Sequence, residues 1–543
     1  MAVIFLAFMI LVRSRTAHLN SKKLRSKRAK CFNLCAKHDA QGFYLAKFAI
    51  GRILTSLMQR PWILQLIAVI GYLSSVTLQG QNYAASREIP PTVTREFRGA
   101  WVATVHNIDW PSRKGLSRSA QQGEMRAILD QMARLNLNAV IFQVRPNGDA
   151  LYDSRIEPWS PWLTGTMGQN PGYDPLAYCI SQAKTRGIEV HAWFNPFRAL
   201  PNAAMPTSRD HVCRTHPKVI RNFKTYRWMD PASGFTQKRA LDVILDVTRR
   251  YDIDGIHIDD YFYPYPDLAK NGQHKTHFPD GKNPSQRRSY VDGFVQQMYS
   301  SVKKAKPWAR VGISPFGIWR PGVPGGTTAG VDAYEHLAAD SRKWLQKGWC
   351  DYLAPQLYWR IQGPQSYTRL LDWWRGQGTR PVWPGIATAR INSKEDPGRP
   401  ASEILNQVDL SRTIGRNYAG HVHWSMKSLR ENRGRISDQL VKQKYTSAAL
   451  VPPMPWISKA KPMRPELRAK AARNQADAQW GAVSGAAKYA VQARYGNNWF
   501  TVKVLPGSQT RLTLSGTPNA IAVSAVDRYG TTSEPSVVAL MGR

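Results

Sequence analysis

The residues best placed to do chemistry are two adjacent aspartates, Asp259 and Asp260, in the stretch DGIHIDDYFYPYP (254–266). An apolar run precedes them and a cluster of aromatic rings follows. Cleaving a glycosidic bond takes two carboxyl groups, one to protonate the leaving oxygen and one to act as nucleophile or base. An adjacent aspartate pair also serves hydrolases of N-acetyl sugars in which the substrate's own acetamido group attacks: one aspartate holds that group and the other is the acid. Asp259 and Asp260 are candidates for such roles, and the pattern does not say which takes which. Asp149, Glu157, Glu335 and Glu395 stand as alternative second acids.

Such a pair needs a rigid frame. From Phe97 onward, short apolar segments alternate with amphipathic ones, the pattern of repeated βα units. Eight strands are expected, at 97–105, 138–145, 188–196, 254–261, 310–317, 351–359, 381–388 and 420–426, with helices at 120–135, 174–187, 237–251 and 285–305 among the intervening segments. Eight strands each followed by a helix specify an α/β fold, the (β/α)8 TIM barrel, over 91–446. Long connections follow strands two to five, on the side where this fold carries its active sites. A Pro-rich linker (447–465) leads to 466–543, where alternating strands such as KYAVQAR and AIAVSAVD predict a small β-sandwich resembling a fibronectin type III module.

Side chains alternate faces along a strand, so parity indicates which of them enter the barrel. In the fourth strand, Ile256 and Ile258 form the face under the helices, leaving His257, Asp259 and Tyr261 inward. The same rule sends Gln143 and Arg145, His191, Trp193 and Asn195, Gln356 and Tyr358, and His421 and His423 inward. Asp260 has the opposite parity and reaches the pocket only if the chain turns at once, which YFYPYP favours. Trp110, Trp159, Trp162, Trp193, Trp319, Trp359 and Trp424 lie in or just after strands, where flat rings suit the C–H faces of sugars. The seventh strand ends in GIATAR without a carboxylate, which disfavours an acid and nucleophile pair on strands four and seven.

Lys and Arg outnumber Asp and Glu by 75 to 37, a formal net charge of +38 that points to an anionic partner. No Walker glycine loop, zinc-type cysteine spacing or RNA-binding aromatic signature occurs, so that partner is not expected to be nucleic acid. The cysteines suggest no disulfide framework, and neither a cofactor nor a metal is expected. Residues 1–90 are read as an N-terminal extension and address. MQRPWILQLIAVIGYLSSVTLQGQNYAAS (58–86) has the layout of a secretory signal, with small residues at 84–86 and a start near Met58; a permanent membrane anchor is the alternative. No lipid-anchor sequence follows it, and nothing after residue 90 approaches the ~20 apolar residues a membrane span needs.

FRGAWVATVHNIDWPS, QVRPNGDALYDS, EPWSPWLTG, HAWFNPFRA, DGIHIDDYFYP, GISPFGIWR and PQLYW together resemble the glycosyl-hydrolase-like barrel family of bacterial envelope proteins, over roughly 95–445. The resemblance implies a periplasmic or cell-envelope hydrolase of peptidoglycan glycan strands stripped of their stem peptides. Stripping leaves a free lactyl carboxylate on each muramic acid, in keeping with the basic balance. Arg145, Arg198, Arg320 and Arg390 are candidates to receive it as bidentate forks. The expected site therefore has Asp259 and Asp260 as catalytic residues. Arg145, Asn147, Trp193, Asn195, Arg198, His257, Tyr261, Trp319, Gln356, Tyr358, Trp359, Arg390 and Trp424 are the expected substrate contacts. Two other readings compete. A glycan-binding barrel without turnover is favoured if Asp260 fails to reach the pocket. A metal-dependent hydrolase or deacetylase would use His191, His257, Asp259 and His423.

Overall fold

The computed structural model describes residues 83–268, 274–413, 419–472 and 474–541; the expected signal segment up to residue 82 lies outside them. Eight parallel strands appear where the apolar runs place them: β1 (Phe97–Val102), β2 (Ala139–Arg145), β3 (Glu189–Phe194), β4 (Gly255–Ile258), β5 (Arg310–Ile313), β6 (Tyr352–Leu353), β7 (Gly385–Ile386) and β8 (Gly420–His423). Between them run α1 (Arg118–Arg134), α2 (Pro175–Lys184), α3 (Gly234–Arg250), α4 (Pro284–Ala305), α5 (Ser341–Gln346), α6 (Tyr367–Arg375) and α7 (Ala401–Thr413). The sheet order is β6-β5-β4-β3-β2-β1-β8-β7. Parallel bridges Leu353↔Val382 and Gln356↔Gly385 link the segments at its two ends. The result is a curled, TIM-barrel-like α/β fold.

The helices start where local chemistry dictates. Ser117 caps α1 through Ala120 N, and Asp174 caps α2 with Pro175 at its first position. Asn283 and Gln286 form a reciprocal capping box on α4. The strands bury both faces. Phe142, Phe194, Ile256, Ile258 and Ile313 pack with the helices, and Phe97, Trp101, Ile141, Trp193, Tyr352, Trp383 and Val422 fill the interior. Aromatic rings supply much of that inner core; Phe97 stacks on Trp383 with centroids 4.1 Å apart.

The parity reading holds for β4 and is off by one on β8. There Val422 enters the interior. His421 instead meets Ser411 of α7 at 3.0 Å, His423 meets Thr388 at 2.7 Å, and both reach Tyr445. The interior beside Trp383 and Phe97 takes an apolar side chain, so the polar ones turn toward the helices. His423 is thereby separated from His191 and His257, and the four-residue metal set is not assembled. Among the described residues no cluster of three or more His, Cys, Asp or Glu is arranged to hold a metal ion.

Two antiparallel sheets follow. One consists of β9 (Leu467–Ala472), β10 (Gln475–Trp480) and β13 (Arg511–Ser515). The other contains β11 (Lys488–Tyr495), β12 (Asn498–Pro506), β14 (Ala520–Val526) and β15 (Ser536–Leu540), and is extended by the strand Tyr83–Ala85 against β15. Tyr83 lies in their shared core with Trp480, Tyr489 and Ile521, and its hydroxyl donates to Pro518 O at 2.6 Å. The stretch read as the end of an export signal thus contributes a strand. This module sits against the beginnings of the barrel strands, opposite the site: Lys488 meets Glu189 at 2.9 Å and Arg528 meets Asp252 at 2.6 Å. The Pro-rich segment packs as well, with Leu450 and Val451 buried and Met454 N donating to Tyr529 O at 2.9 Å. Among the described residues no helix is long and apolar enough to cross a membrane.

Candidate active site

β4 ends at Ile258, and the chain turns immediately. Tyr261 N donates to the Asp259 carboxylate at 3.2 Å and Phe262 N to Asp260 O at 3.0 Å. This tight turn overrides strand parity and brings both consecutive carboxyls into one cavity of ≈ 220 Å³ at the ends of the strands. Trp101 of β1, Trp193 of β3, Ser314 after β5, Gln356 and Tyr358 after β6, and Trp424 after β8 complete its wall with Tyr261 and Tyr265. Tyr358 stacks near Trp424, 6.4 Å between centroids, and Trp101 and Trp193 meet Trp424 edge-on.

A hydrogen-bond chain of fixed polarity orients Asp259. The backbone N–H groups of Thr104 and Val105 donate to Gln143 Oε1 at 2.9 and 3.0 Å. Gln143 must then present its amide N–H₂ to Asn195 Oδ1, at 2.7 Å, and Asn195 must present its own to Asp259 Oδ2, at 2.5 Å. Trp193 Nε1 adds a second donor to the same oxygen at 3.2 Å. Asp260 accepts from the Tyr265 hydroxyl and from Gln356 Nε2, the latter at 3.0 Å. Beneath this layer His257 is fully buried, in contact with Trp101 Nε1, Ser314 Oγ and Tyr352 OH.

The two carboxyls are 5% and 3% exposed. Burial, and then the neighbouring Asp260, pushes Asp259 up to about 7. Burial also raises Asp260, against the hydrogen bonds from Tyr265 and Gln356. Arg198 pulls both downward without forming an ion pair with either. Tyr265 is held as a neutral phenol, well above its ordinary value, by burial and by Asp260. Two adjacent acids whose last proton leaves near neutral pH can donate a proton from one while the other stays ionised.

The profile of the family described as glycosyl hydrolase-like 10 matches residues 96–398. The chain belongs to that family. It is 41% identical over 392 residues to glycosyl hydrolase YngK of Bacillus subtilis (strain 168), covering 69% of this chain and 76% of the relative. It is 34% identical over 366 residues to glycosyl hydrolase DigH of Escherichia coli (strain K12), covering 60% of this chain and 83% of the relative. Among solved structures, the PgaB (BpsB) glycoside hydrolase domain from Bordetella bronchiseptica is similar with a TM-score of 0.43 at 12% identity, over 64% of this chain and 98% of that one.

Within this glycosyl hydrolase-like 10 barrel, the cavity gathers Asp259, Asp260, Trp193, Tyr261, Gln356, Tyr358 and Trp424 from the expected site. Asn195 and His257 support it from behind. Arg145 is not a wall residue: it forms a buried two-pronged pair with Glu157, at 2.8 and 2.6 Å, and also donates to Asn195 O. Asn147 is buried away from the cavity, and its side-chain amide makes no hydrogen bond among the described residues. Trp319 packs on Trp373 and Tyr334, and Trp359 on Phe316. Arg390 donates to Tyr358 O at 2.9 Å and so touches the wall from outside. Arg198 stacks over the Tyr261 ring at 4.8 Å.

The alternative acids are engaged elsewhere: Glu157 with Arg145, Glu335 with Arg288 and Arg320, Asp149 buried beside Asn147 N, and Glu395 exposed beside Arg390. Trp110 and Trp162 are core residues. The expected site omits Trp101, Tyr265, Ser314 and Gln143. Parity along β1 puts Trp101 inward, and Tyr265 belongs to the same tyrosine cluster as Tyr261, so both left a signal in the sequence. Ser314 left none.

Proposed function

We propose that this protein hydrolyses glycosidic bonds in peptidoglycan strands from which the stem peptides have been removed. The observation that carries this is the pair of adjacent buried carboxyls, Asp259 and Asp260, facing one aromatic-walled cavity at the ends of a TIM-barrel-like sheet. In this reading one aspartate protonates the departing glycosidic oxygen while the other holds the N-acetyl group of the sugar. The acetamido oxygen closes on the anomeric carbon as the C–O bond breaks. Water then opens that ring and returns a proton to the acid, restoring the pair. The Trp101, Trp193 and Trp424 rings supply a flat-walled seat for the sugar. The names of the two curated relatives support a glycoside as substrate, and the basic balance of the chain suits an acidic cell-wall glycan.

We further place the protein in the bacterial periplasm or envelope, with 91–446 as the hydrolase barrel and 466–543 as a fibronectin type III-like module serving as a rigid base. The binding-only reading would be favoured by an Asp260 outside the cavity, and Asp260 lines it. The test is mass spectrometry of products from amidase-stripped and intact peptidoglycan, with the natural chain and with Asp259→Asn and Asp260→Asn. Fragments from stripped strands, absent with either variant, are expected. Co-sedimentation with stripped strands but no fragments from any protein would replace hydrolysis by binding.

A further inference from the structure

Five arginines among the described residues are less than a tenth exposed: Arg98, Arg145, Arg198, Arg310 and Arg399. Four of them have a carboxylate within 4 Å, namely Glu96, Glu157, Glu189 and Asp396. Arg198, 6% exposed, has none among the described residues; its Nε donates to Pro146 O at 3.0 Å. A buried guanidinium with no carboxylate in direct contact is costly, and this one, which acts on the aspartate pair only at longer range, lies over Tyr261, a wall of the cavity.

Arg198 also lies in a predominantly basic segment. It opens an insert after β3, a three-stranded antiparallel ladder of Arg198–Leu200, Tyr226–Met229 and Ile220–Phe223. From Arg198 through Met229, Arg198 included, the insert holds seven Arg or Lys and one acid, Asp210. Arg209, Arg214 and Lys218 are exposed, and no ion pair is present for them among the described residues. Trp228 ties the insert to the aspartate loop by donating to Phe262 O at 3.2 Å.

We infer that Arg198 receives a carboxylate of the sugar bound beside the aspartate pair, and that the basic insert holds further acidic sugars on that side of the cleaved bond. The other candidates for this role are committed, Arg145 to Glu157 and Arg320 to Asp332 and Glu335, while Arg390 faces Glu395. Resting on the proposed glycan hydrolysis, this names the feature of the substrate that is read. The lactyl group of muramic acid is a carboxylate only when no peptide is attached; an amide in its place offers Arg198 no charge. Selection of stripped strands is then a property of one ion pair.

The test uses the full chain on stripped strands and on the same strands with their carboxylates reduced to alcohols. The natural protein should prefer the acidic strands by about 10- to 100-fold in kcat/KM, the range of a charge-assisted contact. Arg198→Gln should collapse that preference toward one whatever its absolute rate, and Arg198→Lys should keep part of it. Combined Arg209→Ser, Arg214→Ser and Lys218→Ser should raise KM on acidic strands and flatten its salt dependence. Equal use of both strands by the natural protein, or an undiminished preference in Arg198→Gln, overturns the inference. A preference for a polymer of alternating N-acetylglucosamine and glucuronate over stripped strands would keep the carboxylate and overturn the lactyl group as its source. If neither strand is cleaved, the hydrolase reading fails, and the same preference measured by co-sedimentation decides the role of Arg198 separately.

Discussion

At the floor of the barrel, where the strands begin, Glu96 is 2% exposed and sits between Arg98 at 2.6 Å and Arg412 at 2.7 Å. At the mouth, where they end, Asp259 and Asp260 are as deeply buried, take hydrogen bonds only from neutral donors and feel Arg198 only at longer range. The consequences are opposite. Burial pushes the Glu96 carboxyl up, but Arg412 and Arg98 outweigh it and hold Glu96 below its ordinary value. At the mouth burial wins, and Asp259 rises to about 7. Equal depth with unequal compensation separates a structural charge from a reactive one.

The sharpest way to break this contrast is to neutralise the mouth. Asp260→Asn should lower product release about 10²- to 10⁴-fold, the usual contribution of a positioned acid or base. A variant with near-normal turnover would remove Asp260 from the chemistry. Neutralising the floor should act on stability instead. Glu96→Leu leaves Arg98 and Arg412 without their anion and should cost about 3–5 kcal/mol in urea unfolding. A cost under ~1 kcal/mol would make Glu96 as dispensable as a surface pair.

The pH dependence sharpens the same comparison. A carboxyl raised from 3.8 to about 7 binds a proton in the folded state that the unfolded chain has already released. Its effect is therefore a loss of stability as pH rises through that window, at most ~1.4 kcal/mol per pH unit for one group. Glu96, held low, works the other way: its contribution is present above the ordinary glutamate value and is lost as pH falls below it. His257, His421 and His423, kept well below 6.5 chiefly by burial, likewise contribute stability that is lost as pH falls through 6.5. Asp260→Asn removes the repulsion at the mouth. It should therefore gain about 1–3 kcal/mol relative to the natural chain between pH 5 and pH 8. A pH-independent difference would show that the pair is not strained. Activity should have an alkaline limb near pH 7, where the pair loses its last proton, read from kcat/KM against pH.

Tyr265→Phe is the mildest probe. It removes one donor from Asp260, raising that carboxyl further, and should cost about tenfold in kcat while moving the acid limb of the profile upward. A fall in kcat with an unmoved profile would leave Tyr265 a packing residue.

The strands and their order of use were legible because a buried parallel strand must be apolar on two faces and bounded by turns, a local pattern that survives in the sequence. The same alternation located Trp193, Asn195, His257 and Asp259 on the inner face. It failed at β8, where GHVHW offers polar side chains at one parity and only Val422 and Trp424 at the other. The interior there is already lined by Phe97 and Trp383 and takes the apolar set. The site was less legible than the fold, because its wall is assembled from β1, β3, β4, β5, β6 and β8 at once.

By itself, then, the amino-acid order determined the eight apolar strands, the inward parity of Asp259 and the excess of positive charge, since each depends on neighbours in the chain. Tertiary structure decided three further things: that the turn YFYPYP favours does deliver Asp260 to the same cavity, that Tyr265 and Gln356 meet it there, and that Arg145 is matched while Arg198 has no carboxylate in contact. These depend on which groups approach through space, and a buried charge is spent or available according to what lies within a few ångströms of it.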